Sequence, residues 1–148
     1  MIGGLRKNGV EVLECNAPYY SWASYLKLLG KYFFLKKTFD AVIVGFPGQE
    51  AMLLIHLLTK KPIIFDVFTS HYGGYVLDRG KYSKDSLRAK WYKWLDKKSV
   101  ELANVALLDT NAHIDFFVNE FSLPKNKFIR VFVGTDSDIF YPRETKKE

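Results

Sequence analysis

The chain has 148 residues, which is enough for one domain with its own hydrophobic core. Hydrophobic residues make up 48% of it and charged residues 26%, a globular composition that excludes a disordered or fibrous protein. The net charge of +6 favours anionic partners such as nucleotide phosphates, nucleic acid or a lipid surface. Lysines on solvated helix faces would give the same balance.

The single cysteine, Cys15, excludes an intrachain disulfide and a cysteine-based metal cluster, so we expect a reducing, cytoplasmic setting. Residues 1–8 lack the apolar stretch of a signal peptide. The longest apolar run, 51–58, is too short to cross a bilayer. The sequence therefore predicts a soluble protein, and peripheral attachment to a membrane stays open.

The first third of the chain alternates helix and strand patterns. Residues 5–8 are typical of a helix end, which Gly9 can cap in the left-handed conformation. Residues 10–15 alternate partly between apolar and polar side chains, which predicts a strand. Aromatic and leucine side chains at helical spacing predict a helix over 21–37, and the apolar run 41–45 predicts a strand buried on both faces.

The same alternation continues to the end. A turn at 47–50 leads into a helix that ends near Lys60, followed by a strand at 63–67 and a long polar loop from 72 to 85. Ser86 is a good N-cap for a helix that ends near Leu102. A strand at 105–109, a helix at 111–121 and a strand at 128–133 complete the pattern, and 143–148 is a polar tail.

This order predicts an α/β fold: a Rossmann-like, mostly parallel sheet with helices on both faces, in one domain over residues 1–142. The tail, 143–148, would begin a linker. The strand and glycine loop that usually open such a fold are missing before the first helix. We therefore expect the edges of strands 10–15 and 63–67 to be exposed. They would pair either directly or, as we favour, between two copies in a homodimer.

The ligand crevice of such a sheet lies outside the carboxyl ends of its strands. Asp66 and His71, at one strand end, are the candidate catalytic residues. A carboxylate in a buried strand is costly unless it is hydrogen-bonded, so Asp66 could equally hold the loop by accepting backbone N–H groups. His71 could act as a general base, a phosphate partner or a hydrogen-bonded loop residue. Asp78 and Arg79 could form an exposed ion pair.

Two further turns stand at strand ends. The glycine-containing turn at 45–50 is neither a Walker A loop nor a dinucleotide motif, and we interpret it as a turn that lets a ligand approach the backbone. Thr110 or Asn111 would cap the helix after Asp109. The exposed start of that helix could also offer N–H groups to an anion.

Aromatic side chains interleave with lysines in two segments, 19–34 and 91–94. Such stripes suit a membrane interface or stacking on nucleic acid bases. They also suit ordinary core packing with lysine stems along the surface, which the helical spacing favours.

Three segments, in this order and at these spacings, resemble the N-terminal domain of GT-B glycosyltransferases of family four. They are D-A-V-I-V-G-F-P-G-Q-E from Asp40, K-P-I-I-F-D-V-F-T-S-H-Y from Lys61, and A-N-V-A-L-L-D-T-N-A-H from Ala103, followed by V-G-T-D-S-D-I-F-Y-P from Val133. The resemblance covers residues 10–142. It implies the N-terminal half of a GT-B fold that lacks its first strand.

The resemblance implies transfer of a sugar from a nucleotide-sugar donor to a sugar or lipid-linked acceptor, with retained anomeric configuration. The acceptor would lie on this domain. The donor would lie mainly on a second domain that this sequence does not contain, so the isolated chain should be inactive. No metal, cofactor or nucleic acid is expected. The residues expected to face the cleft are Gly48, Gln49, Ser70, His71, Asp78, Arg79, Asp109, Thr110, Gly134 and Asp136.

Two other function classes remain open at this point. One is a non-catalytic basic binding module for a membrane surface or nucleic acid, which a basic patch away from the strand-end loops would favour. The other is a free-standing nucleotide-binding protein of flavodoxin-like shape, which nucleotide binding by the isolated chain would favour.

Overall fold

A computed structural model describes residues 1–16, 22–35 and 38–134. The predicted site residue Asp136, the predicted domain end at Pro142 and the predicted tail, 143–148, lie outside the described residues. The helices are α1 (Ile2–Lys7), α2 (Trp22–Leu35), α3 (Gln49–Leu58), α4 (Leu87–Leu102) and α5 (Asn111–Phe121). The strands are β1 (Val42–Val44), β2 (Ile63–Asp66), β3 (Val105–Leu108) and β4 (Phe128–Arg130).

The four strands form one parallel sheet in the order β1-β2-β3-β4. In its register Val44 lies beside Phe65, and Asp66 lies beside Leu107. The strands therefore end at a common edge, and helices flank the sheet. The predicted α/β class and Rossmann-like parallel sheet are confirmed.

The core lies between the sheet and the helices that follow each strand. Phe65 and Ala106 are fully buried in the sheet, where Met52 of α3 and Phe117 of α5 belong to the same cluster. Helices α3 and α4 also pack against each other. Burying an aromatic or long aliphatic side chain stabilises the fold by roughly 1.5–3 kcal/mol, so this cluster fixes the positions of the strand ends.

Several predicted helix ends are confirmed. Gly9 follows α1 with a φ of 77°, the left-handed conformation that glycine adopts without a steric penalty. The Ser86 hydroxyl accepts a hydrogen bond from the Ala89 N–H at the start of α4. Thr110 caps α5 in the same way, through the N–H of His113 at 3.1 Å. None of the described helices has the length and apolar character needed to cross a bilayer.

The strand predicted at residues 10–15 is wrong, because this segment carries no strand pairing. It folds back toward α1 instead. The Arg6 guanidinium donates to the Val12 carbonyl at 3.3 Å and to the Glu14 carboxylate at 2.8 Å. Alternating side chains suit a pleated surface, but a strand also needs a neighbour with free backbone groups, and the pattern does not supply one.

The predicted gap in the sheet is also wrong. Strand β2 is paired on both sides, with β1 and with β3, so it offers no open edge to residues 10–15 or to a second copy. Both solutions proposed for that gap, direct pairing and dimerisation through β2, therefore lose their basis. The oligomeric state itself stays a prediction.

The long loop predicted from 72 to 85 is partly helical. Residues Gly73–Asp78 form a π-helical turn, in which the Arg79 N–H donates to the Gly74 carbonyl at 3.2 Å. Gly80, with a φ of 56°, ends this segment in the left-handed region. Glycines and polar residues predicted a loop here, but the side-chain and carbonyl oxygens of Ser70 accept hydrogen bonds from the N–H groups of Gly73 and Gly74, which favours a helical path.

Candidate functional site

The loops after β1 and β2 lie side by side at the carboxyl edge of the sheet. The Gln49 side-chain amide, at the start of α3, donates to the Thr69 carbonyl at 3.2 Å. The rings of Phe46 and Phe68 lie 5.5 Å apart across the same two loops. The structure thus brings together two of the turns that the sequence singled out.

Asp96 of α4, which is not among the predicted site residues, holds the loop after β2. Its carboxylate accepts hydrogen bonds from the Ser70 hydroxyl at 2.7 Å and from the N–H groups of His71 at 3.1 Å and Tyr72 at 2.8 Å. The Ser70 oxygen in turn accepts from the Gly73 N–H at 2.7 Å. Asp96 is 1% exposed, so these bonds fully replace water.

Burial dominates the electrostatics of Asp96. Loss of solvent raises the pKa of this carboxyl, while the bonds from Ser70, Tyr72 and His71 and the nearby His71 ring oppose the rise. A buried carboxylate is tolerated only where such donors compensate it. The arrangement therefore couples the position of His71 to a residue in the middle of α4.

The turn between β2 and Ser70 carries local backbone strain. Phe68 has a φ of 55°, which is costly for a residue with a large side chain, and the Thr69 N–H donates to the Val67 carbonyl at 2.6 Å. The Phe68 side chain is 46% exposed, although its neighbour Val67 is buried. Strain of this kind persists where surrounding contacts impose it, and it is concentrated at ligand sites.

His71 lies within a cluster of aromatic rings. Its ring centroid is 6.4 Å from that of Phe46, 5.9 Å from that of Tyr75 and 5.8 Å from that of Tyr92. Tyr75 and Tyr92 also contact each other at 5.3 Å, and burial raises the pKa of Tyr92. We call these residues the aromatic cluster: Phe46, Phe68, His71, Tyr75, Tyr82 and Tyr92, the last two with centroids 5.9 Å apart.

The two nitrogens of the His71 ring differ in their surroundings. Nδ1 is buried and has no hydrogen-bond partner among the described residues. The ring as a whole is half-buried, which leaves Nε2 as the nitrogen that can meet a ligand. An imidazole with one free nitrogen at a strand-end edge can accept or donate a proton.

The structural role proposed for Asp66 is wrong. Its half-buried carboxylate accepts no hydrogen bond from the other described residues, so it does not hold the loop. Asp96 of α4 holds the loop instead. Burial raises the pKa of Asp66, and the Met1 ammonium opposes that rise. Asp66 is thus a carboxyl near the edge without a fixed partner.

Gly48, the last residue before α3, and Gln49, the first residue of α3, are both buried. A Cβ added at Gly48 would lie 2.5 Å from both the Gly45 carbonyl oxygen and the Val44 Cγ1, so only glycine fits. The Gln49 Oε1 is buried without a partner among the described residues. Both residues shape the turn, and Gln49 is covered rather than open toward the crevice.

Of the remaining predicted site residues, only Arg79 is seen to contact a ring of the aromatic cluster among the described residues. Asp109 Oδ1 lies 2.6 Å from His113 Nδ1, one turn along α5, and Thr110 serves as the helix cap. Gly134 is exposed beyond β4. Asp78 is exposed and forms no ion pair with Arg79, whose guanidinium carbon lies 5.9 Å from the centroid of the Tyr75 ring.

A sequence signal for Asp96 did exist. Asp96 and Ser99 are polar residues three apart, and both lie on the buried side of α4 with Leu95 and Val100. The position of a carboxylate among core residues indicates a specific donor partner. Only the fold, however, brings the donors of residues 70–72 to it, across 24 to 26 residues of sequence.

No cluster of three or more histidine, cysteine or acidic side chains that could hold a metal ion occurs within residues 1–16, 22–35 and 38–134. No protein-family model matches this chain, and no curated protein sequence matches it significantly.

Replacing Asp96 should destabilise the protein strongly. Asp96→Ala leaves the donors of Ser70, His71 and Tyr72 unpaired, so we expect a loss of about 3 kcal/mol in the free energy of unfolding, measured by urea denaturation. Asp96→Asn keeps the shape and one acceptor oxygen and should lose less. As the control, Asp115→Ala removes an exposed carboxylate that pairs with Lys125, and it should cost less than about 1 kcal/mol. Equal losses for the two alanine variants would contradict this role.

His113 should control the ionisation of Asp109. The hydrogen bond from His113 lowers the pKa of Asp109. This pairing therefore stabilises the fold above the pKa of an unfolded aspartate, and the stabilisation is lost as the pH falls through the folded value. In His113→Gln, NMR titration of the Asp109 carboxyl should give a higher pKa than in the unaltered chain. The Asp115 carboxyl serves as the internal reference, and a pKa of Asp109 that does not move would refute the assignment.

Proposed function

We propose that this chain is the acceptor-side domain of a GT-B-type glycosyltransferase, which transfers a sugar from a nucleotide-sugar donor to an acceptor. The observation that carries the proposal is the placement of His71 by Asp96 within the aromatic cluster, at the carboxyl edge of a parallel sheet. That edge is where ligands bind in open α/β sheets.

The aromatic cluster has the chemical character of a saccharide site. Sugar rings present apolar C–H faces that pack on aromatic rings, and their hydroxyls need a few placed polar groups. Phe46 and Phe68 are 42% and 46% exposed, so their rings are open to a ligand. The hydroxyls of Tyr75 and Tyr92 and the His71 ring supply polar contacts beside them.

In the proposed reaction the bond between the anomeric carbon of the donor and its phosphate oxygen breaks. A bond from that carbon to an acceptor oxygen forms, and the acceptor hydroxyl loses its proton. His71, through Nε2, is our candidate to hold or receive that proton. Asp96 would keep His71 in place by accepting its backbone N–H. Asp66 is the second candidate, as a half-buried carboxyl at the end of β2.

The isolated chain should not transfer sugar, because one wall of a cleft cannot hold both substrates or exclude water. It should still bind acceptor-type saccharides. In NMR titrations of the ¹⁵N-labelled chain with mono- and disaccharides, the amide signals of the aromatic cluster should shift, whereas nucleotide sugars should bind weakly at most.

Matched variants locate that binding. His71→Ala and Tyr92→Ala should weaken saccharide binding, while His113→Ala, which removes an exposed histidine of α5, should not. Saccharide binding that is unaffected by the first two variants would place the site elsewhere. Turnover by a verified 148-residue preparation would overturn the proposal that the donor requires a second domain.

A second candidate function, binding to an anionic membrane surface, is favoured by the solvent side of α4. Trp91 and Trp94 stack with ring centroids 5.0 Å apart and are 48% and 45% exposed, and Leu87 beside them is 85% exposed. The core packing that the helical spacing favoured for Trp91 and Trp94 is therefore not what the fold gives them. We call this surface the α4 outer face; its lysines are Lys90, Lys93, Lys97 and Lys98.

Lys90 is the lysine of the α4 outer face that would meet an anionic bilayer without a competing carboxylate. Lys93 pairs with Glu120 at 2.5 Å, and Lys97 and Lys98 lie 4.0 Å and 3.2 Å from Glu101, whereas Lys90 forms no ion pair with the described residues. Tryptophan side chains reside at the boundary between lipid headgroups and acyl chains, and each lysine near an anionic surface contributes about 1 kcal/mol.

Vesicle sedimentation tests this second function. The chain should sediment with phosphatidylcholine vesicles that contain phosphatidylglycerol, and high salt should release it. It should not bind vesicles of pure phosphatidylcholine. Trp91→Ala/Trp94→Ala should weaken the binding. The control Phe132→Ala removes an aromatic side chain that is 71% exposed outside α4, and it should have no effect. Equal binding to neutral and anionic vesicles would count against the function.

A further inference from the structure

Three cationic side chains lie over tyrosine rings of the aromatic cluster. The Lys81 ammonium lies 5.5 Å from the centroid of the Tyr75 ring and 5.6 Å from that of Tyr82. The guanidinium carbon of Arg88 is 5.2 Å from the Tyr82 centroid, and that of Arg79 is 5.9 Å from the Tyr75 centroid. We call Arg79, Lys81 and Arg88 the cation cluster.

The fold assembles this cluster from two elements. Arg79 and Lys81 follow the π-helical turn Gly73–Asp78, and Arg88 lies in the first turn of α4. The hydrogen bonds that Asp96 accepts at the start of the turn connect these two elements. The position of the cations therefore depends on the same anchor as that of His71.

The tyrosine rings that contact the cation cluster also lead to His71. Tyr75 contacts His71 with centroids 5.9 Å apart, and Tyr92 contacts both His71 and Tyr82. A ligand group held by the cations would thus lie one ring away from His71. The arrangement fits a single extended ligand with an anionic end.

The charge of the cluster is not neutralised within the described part of the chain. None of the three cations forms an ion pair there, whereas Lys93, Lys98 and Lys125 each pair with a carboxylate. Arg88 instead donates to the Tyr82 hydroxyl at 3.1 Å, and this bond, with the nearby Lys81, lowers the pKa of Tyr82. Cations that are held near one another repel, and a bound anion would offset this repulsion.

We propose that the cation cluster binds a phosphate or diphosphate group on the acceptor. Guanidinium groups bind phosphate oxygens in pairs, and an ammonium group adds a point charge. The proposal rests on the proposed function, because it names the anionic end of the same acceptor. The phosphate could belong to a lipid-linked diphosphate or to a free sugar phosphate. Only the first carries a hydrocarbon chain.

The test is titration of the ¹⁵N-labelled chain with three probes: inorganic pyrophosphate, geranyl diphosphate and uncharged geraniol. Pyrophosphate should shift the amide signals of residues 75–82 and 88, with an affinity that falls as salt rises. Tighter binding of geranyl diphosphate than of pyrophosphate would identify a lipid-linked source, and equal binding would identify a free phosphate. Geraniol that binds as well as geranyl diphosphate would overturn the proposal.

Charge-matched variants separate a site from general attraction. Lys81→Gln and Arg88→Gln should each weaken pyrophosphate binding about tenfold, which corresponds to the loss of one charge-assisted contact. Lys84→Gln removes an exposed lysine outside the cluster and should leave the affinity unchanged. All three side chains lie at partly or fully exposed positions, and the amide spectrum of each variant verifies its fold. Equal losses in the three variants would show nonspecific charge attraction and overturn the site.

The outcomes also distinguish this inference from the proposed function. Saccharide binding at the aromatic cluster without any pyrophosphate binding would overturn the phosphate site alone. Pyrophosphate binding without saccharide binding would overturn the assignment of the phosphate to a sugar acceptor.

Discussion

The hydrogen bonding of Asp96 is the constraint on which the candidate site depends. A carboxylate that is 1% exposed must be compensated by donors, and those donors come from the loop after β2. Breaking the arrangement would leave both a buried charge and unpaired N–H groups, so the loop has one favourable position. This single requirement fixes the backbone of residues 70–72, from which the π-helical turn Gly73–Asp78 begins.

Helix α4 connects the core, the cation cluster and an exposed aromatic surface. Its buried side holds the loop through Asp96 and packs into the core through Leu95 and Val100. Its first turn contributes Arg88 to the cation cluster, and its solvent side exposes Trp91 and Trp94. Because a helix is rigid, the proposed acceptor site and the proposed membrane surface are held at a fixed relation. An acceptor with a lipid end would make use of both.

The fold class could be predicted because buried parallel strands and amphipathic helices leave strong periodic patterns. The apolar runs at 41–45, 63–67 and 105–109 each contain an observed strand, and the caps at Ser86 and Thr110 follow from local chemistry. The strand predicted at 10–15 failed for a physical reason. Alternating side chains determine which face of a strand would be buried. They do not determine which other strand would pair with its backbone groups.

The sequence by itself determined the order of β1–β4 and of the main helices, the caps of α4 and α5 and the candidate status of His71, because these depend on near neighbours in the chain. Tertiary structure alone decided the rest. Asp66 and Asp96 are the same residue type, yet only the second is surrounded by donors. Likewise the exposure of Trp91 depends on which surfaces other elements cover. The positions of Arg79 over Tyr75 and of Arg88 over Tyr82 depend on how the π-helical turn packs beside α4.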